Sequence, residues 1–134
     1  MYRSAVRSLI WATNWDNRKS TLNSYLGKQK LMILHIATFR WRDDVTPEAV
    51  SALTDALTTM AAGIPVLLSY VCGDNLHLRP GGADYGVAAI VADADALGVY
   101  LDSPLHKAVY DKHLGGMIAE RSALQLPLKD GTLS

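Results

Sequence analysis

Two histidines, His106 and His113, stand seven positions apart in the stretch YLDSPLHKAVYDKH, which opens on Tyr100. Imidazole is the side chain that takes up and releases a proton near neutral pH, so acid–base chemistry is sought here first. Ser103 and Pro104 read as a helix start, a hydroxyl N-cap followed by proline in the first helical position. His106 is then the third helical residue. At about 100° per residue, His106, Val109, Tyr110 and His113 share one arc, with Leu105 at its edge and Lys107 and Asp111 on the far side. Both histidines are expected to face a sheet. The positive end of a helix disfavours the imidazolium, so a neutral His106 able to act as general base is expected.

Tyr100 lies on the apolar face of a preceding short helix, and His35 sits among apolar neighbours in MILHIATFRW. These residues suggest a pocket between sheet and helices lined by Tyr100, His106, His35 and His113. The plainer reading of the same spacing is an amphipathic core whose polar atoms bond to backbone carbonyls. A metal site is not expected: His106 and His113 would lie two turns apart, about 10 Å along a helix, too far to share one ion unaided. His77, in a turn-rich loop, reads as solvated. No nucleotide-binding glycine motif and no H-E-x-x-H is present, and RPGGAD reads as a turn with no helix after it, so no cofactor is expected.

The elements that must position these side chains follow from periodicity. MILHIATFRW is a strand, with Ile33, His35, Ala37, Phe39 and Trp41 on one face and Met32, Leu34 and Ile36 on the other. Thr46 and Pro47 start an amphipathic helix whose inward residues are Val50, Leu53, Leu57, Met60 and Ile64, ending near Gly63. VLLSYVCG and YGVAAIVA are two further strands, with Leu67 and Val71 placed opposite Val66, Leu68, Tyr70 and Cys72 in the first of them. Asp93 caps the short helix carrying Leu97, Tyr100 and Leu101, and Pro104 interrupts it. The helix begun at Ser103 runs through His113, Gly115-Gly116 ends it, and SALQLPL is a last strand. The order β-α-β-β-α-α-β predicts an α+β domain with helices on one side of a four-stranded, largely antiparallel sheet. Apolar residues on both faces of the first two strands predict a second sheet packed on the open face, a homodimer through sheet faces.

The chain has 134 residues, 49% of them hydrophobic and 19% charged, enough for one domain with its own core. The single cysteine, Cys72, excludes an internal disulfide and reads as a small buried hydrophobe. Residues 1–31 hold six of the thirteen Lys and Arg against one acid, Asp16, which leaves seven bases and twelve acids in the remainder. That remainder is poorly suited to a phosphate backbone, so no nucleic-acid partner is expected. The charge-free run from Ala56 to Gly73 is cut by Gly63 and Pro65, so no membrane span is expected and a cytoplasmic location is. Residues 1–31 read as a basic extension: an organellar presequence, an interaction arm, or sequence upstream of a domain start at Met32. The domain is expected over 32–128, with a tail at 129–134.

Residues 32–128 resemble the stress-responsive A/B barrel family, dimeric α+β barrels of ferredoxin-like topology. The matching pieces are MILHIATFRWRDDVT, GIPVLLSYVCGDNL, DYGVAAIVAD and YLDSPLHKAVYDKHL. The resemblance implies a face-to-face dimer and a cleft between helices and sheet. One plant member is similar to a polyketide cyclase that performs an intramolecular aldol condensation with a histidine base and a tyrosine that positions substrate. The matching positions are His106 and Tyr100, with His35 matching the family's first-strand histidine. A further histidine of that cyclase falls at Val87, and Gln125 stands where an acid is common on the last strand, which is expected to leave His35 without the partner that could orient it. The expectation is a homodimer binding a small molecule through His35, His113, Val87 and Tyr110, with lyase- or cyclase-like chemistry through His106 assisted by Tyr100. The alternative is a non-catalytic stress-associated dimer or assembly protein; a haem- or flavin-free monooxygenase of the related barrel type has no decisive feature in its favour.

Overall fold

The structure is a computed structural model and describes residues 31–129; expectations placed on residues 1–30 and 130–134 lie outside the described residues. In chain order the elements are β1 (Met32–Trp41), α1 (Pro47–Ala62), β2 (Leu67–Asp74), β3 (Tyr85–Val91), α2 (Ala94–Leu101), α3 (Pro104–Lys112), a 3-10 turn (Leu114–Gly116) and β4 (Ile118–Leu128). This is the expected β-α-β-β-α-α-β order. The four strands form one sheet ordered β2-β3-β1-β4, antiparallel at every pairing. The fold is ferredoxin-like α+β.

The helices start where short polar side chains satisfy exposed N–H groups. Thr46 Oγ1 accepts from Ala49 N, Asp93 Oδ1 from Ala96 N and Ser103 Oγ from Leu105 N. Pro47 and Pro104 occupy the first turns of α1 and α3, where their missing N–H costs nothing. One face of α1 buries Val50, Leu53, Leu57 and Met60 against Phe39, Tyr85, Val87 and Ala89 of the sheet, and Tyr100, Leu114 and Met117 close the same core from the other helical segments.

Two details depart from the strand readings. Leu67 pairs with Val91 and Ser69 with Ile90, so β2 carries a bulge that inserts one extra residue. The insertion reverses the alternation at that point. Leu67 packs on the core with Val66, Tyr70 and Cys72, while Leu68 and Val71 are exposed, in place of the expected pairing of Leu67 with Val71. The last strand also begins at Ile118, four residues before SALQLPL, because Ile118–Arg121 pair with Phe39–Trp41 despite the charges of Glu120 and Arg121. That extension puts Arg121 on a strand.

Away from the helices the sheet presents apolar rows. Val71, Ala88, Ile36 and Leu124 are consecutive in register, as are Ile90, Leu34 and Leu126. Val71 is 64% exposed and Leu124 47%. Such a face on both a central and an edge strand is the surface that a second sheet would cover.

Candidate functional site

The rows facing the helices alternate between bulky and polar. Tyr70, Ala89, His35 and Gln125 lie side by side across β2-β3-β1-β4. The small Ala89 and the neighbouring Ala37–Ala123 pair keep the sheet floor low at this point. Tyr100 descends from the last turn of α2 onto that row. Its ring meets Tyr70 edge-on at 6.3 Å between centroids, His35 at 6.1 Å and His106 at 5.1 Å. The phenol ring is therefore a wedge between strand and helix histidines, and only 2% of Tyr100 is exposed. Aromatic rings crossed at 77–82° place ring edges against ring faces, a favourable arrangement.

His35 is 6% exposed, the one buried polar residue among those described. Its Nδ1 lies 2.9 Å from Gln125 Nε2. The amide donates and the ring nitrogen accepts, which puts the imidazole proton on Nε2. The expectation that replacing an acid by glutamine strips His35 of its partner is thus corrected: Gln125 orients the ring. What it does not supply is a negative charge to stabilise the imidazolium. Burial, and then the nearby His106, hold His35 below the ordinary histidine value of 6.5.

His106, half-buried, is also held below 6.5, first by desolvation, then by the Arg121 guanidinium, with Asp102 acting weakly the other way. The direction matches the sequence reading, but its causes are burial and a cation on β4. His106 forms one wall of an open hollow of about 360 Å³, lined also by Leu101, Asp102, Lys107, Tyr110 and Arg121. Gly115 leaves room for Tyr110 there, since a Cβ at that position would sit 3.0 Å from the Tyr110 ring. Tyr100 and His35 lie behind His106 and not at this wall.

Of the other residues singled out from the sequence, His113 and Val87 stand elsewhere. Helix α3 stops at Lys112, and His113 leaves it with φ −126° and ψ −70°. The expected common arc with His106 breaks at that point, and His113 lines a separate apolar groove of about 450 Å³ between α1 and α3, with Met60 and Val109. Val87 is buried in the core between Ala37 and Cys72. Sequence reasoning passed over Tyr70 and Arg121. The Tyr70 hydroxyl is buried without a hydrogen bond beside Tyr100, and burial drives its acidity far down. Tyr70 looked like one more apolar strand position, and Arg121 lay outside the expected strand. No group of three His, Cys, Asp or Glu side chains among the described residues is arranged to hold a metal ion.

The sequence pattern of the Stress responsive A/B Barrel Domain matches residues 33–126, covering all four strands nearly end to end. The chain belongs to that family. An uncharacterised protein from Streptomyces coelicolor is 34% identical over 79 residues, 58% of this chain and 81% of that protein. Among solved structures, a dimeric ferredoxin-like protein of unknown function from Thermobifida fusca is 39% identical, with a TM-score of 0.69 over 73% of this chain and 92% of that one. A hydroxynitrile lyase from Passiflora edulis shares the fold at 10% identity, with a TM-score of 0.64 over 76% of this chain and 97% of that one. Within this A/B barrel domain, no helix among the described residues is long and apolar enough to cross a membrane.

Proposed function

We propose that this A/B barrel protein is a homodimer, paired through its apolar sheet faces, that binds a small molecule in the hollow beside His106 and carries out acid–base chemistry on it. The observation that carries the reading is the placement of a neutral-leaning His106 at the wall of an open hollow, backed edge-on by Tyr100. A base must be accessible, deprotonated at working pH and fixed in direction. His106 meets the first through the hollow, the second through burial and Arg121, and the third through the Tyr100 ring. In this reading His106 removes a proton from a ligand carbon or hydroxyl, and Tyr100 and His35 are positioning residues. The dimer is supported by the exposed Val71 and Leu124 rows and by the dimeric Thermobifida fusca protein. That the Passiflora edulis neighbour is a hydroxynitrile lyase supports the capacity of this fold for lyase chemistry and carries no residue across.

The second reading is a non-catalytic dimer, favoured by the near-complete burial of Tyr100 and His35, which suits a packed structural cluster. A thermal-shift screen of small carbonyl compounds against wild type and His106→Ala separates the two. Compounds that stabilise wild type and lose their effect in the variant support the site. Indistinguishable responses from the two proteins leave the dimer as the functional unit.

A further inference from the structure

We propose that the hollow beside His106 is built for a small aryl or alkyl carboxylate, with the Arg121 guanidinium as the group that anchors the carboxylate. This rests on the cleft reading above and names its ligand class. Arg121, Ala123 and Gln125 are the β4 residues that face the helices, since Gln125 bonds His35 there and the intervening Ser122 and Leu124 face the other way. Arg121 shares the hollow with His106, across from the first turn of α3.

The charges around it are unequally satisfied. Lys107 is tied to Asp111 at 3.2 Å along its own helix, and Arg40 to Glu120 at 3.3 Å. Arg121 has no ion-pair partner among the described residues, and Asp102, the acid lining the same hollow, is not within ion-pair distance of it. A guanidinium presents paired N–H donors that match the two oxygens of a carboxylate. Leu101 and Tyr110 supply the apolar part of the wall, which suits a hydrocarbon or aromatic body, while Asp102 and Lys107 line the rest. Burial first and the Arg121 cation second lower the His106 pKa, so a carboxylate bound to Arg121 would relieve part of that effect and be sensed by His106. The groups facing His106 are Arg121 from β4, Asp102 from the loop after α2, Tyr100 from α2 and His35 from β1.

The test uses the full chain with benzoate as probe and benzamide as its uncharged counterpart, followed by NMR chemical-shift titration. Benzoate is expected to shift the Arg121 Nε–H and His106 ring resonances saturably, and benzamide to bind about tenfold more weakly or less. Arg121→Gln is expected to bring benzoate down to the benzamide level and Arg121→Lys to retain part of the preference. Saturating benzoate is also expected to raise the His106 pKa in wild type but not in Arg121→Gln, a readout that a structural role for Arg121 would leave unmoved. Equal binding of the two probes, or an Arg121→Gln protein that binds benzoate like wild type, overturns the carboxylate assignment while leaving the cleft reading intact. Failure of both probes to bind overturns the assignment too, and the carbonyl screen then decides whether the cleft reading falls with it.

Discussion

Gln125 and His35 face each other directly in the β1–β4 ladder, and the amide Nε2 reaches the imidazole Nδ1 at 2.9 Å. An amide donor at that nitrogen favours the neutral ring, whereas a carboxylate would favour the imidazolium. Gln125→Glu is therefore expected to raise the His35 pKa, and histidine-resolved NMR titration of that ring checks the movement. Gln125→Leu leaves a buried ring nitrogen unpaired and is expected to cost about 1–3 kcal/mol in urea unfolding.

His35 and His106 both lie below 6.5 in the folded protein, where the unfolded chain has ordinary histidines. Between the folded values and 6.5 the unfolded state binds more protons, so stability rises with pH through that window and falls as the pH drops from 6.5. The contribution is fully present above 6.5. Urea midpoints are expected to be flat from pH 7 to 8 and to decline towards pH 5, and a double variant, His35→Gln with His106→Gln, is expected to lose part of that decline.

Tyr100 is a wedge by its ring and not by a hydrogen bond to either histidine. Tyr100→Phe is expected to leave stability within about 1 kcal/mol of wild type, whereas Tyr100→Ala opens a void between Tyr70, His35 and His106 and is expected to cost about 3–5 kcal/mol. Chemical denaturation measures both. If the phenol hydroxyl takes part in the proposed chemistry, Tyr100→Phe lowers turnover of any substrate found while leaving this stability unchanged.

Gly115 lies against Tyr110, and a Cβ at this position would come within 3.1 Å of the Tyr110 carbonyl as well as meeting its ring. Gly115→Ala is expected to displace Tyr110 from the hollow and to destabilise the fold by roughly 1–3 kcal/mol. Thermal unfolding reads the cost, and the Tyr110 ring resonances read the displacement.

Val71 and Leu124 are the most outward of the apolar residues on the two edge strands of the open sheet face. A charge in a buried sheet-to-sheet interface is unpaired and costly. If the proposed dimer forms through this face, Val71→Asp with Leu124→Asp is expected to leave a monomer by light scattering coupled to size-exclusion chromatography, while an exchange at the exposed Asp95 of α2 leaves the mass as in wild type.

Much of the architecture was legible along the chain because it depends on local rules. Thr46-Pro47, Asp93 and Ser103-Pro104 begin helices through side chains that reach backbone N–H groups two or three residues on, and two-residue alternation sorts β1 and β3 into faces. Those features, with the family resemblance, determined the element order, the sheet and the helix that presents His106. The tertiary structure decided what depends on pairing between distant segments. It set the bulge that reverses Leu67 and Leu68, the early start of β4 that brings Arg121 to His106, the Gln125 bond to His35, and the end of α3 that parts His113 from His106. Helical and strand periodicity extrapolate only while the backbone stays regular, which fails at the β2 bulge and at the end of α3, and they do not say which strand positions face each other, which the β1–β4 register decides for Arg121 and for Gln125 and His35.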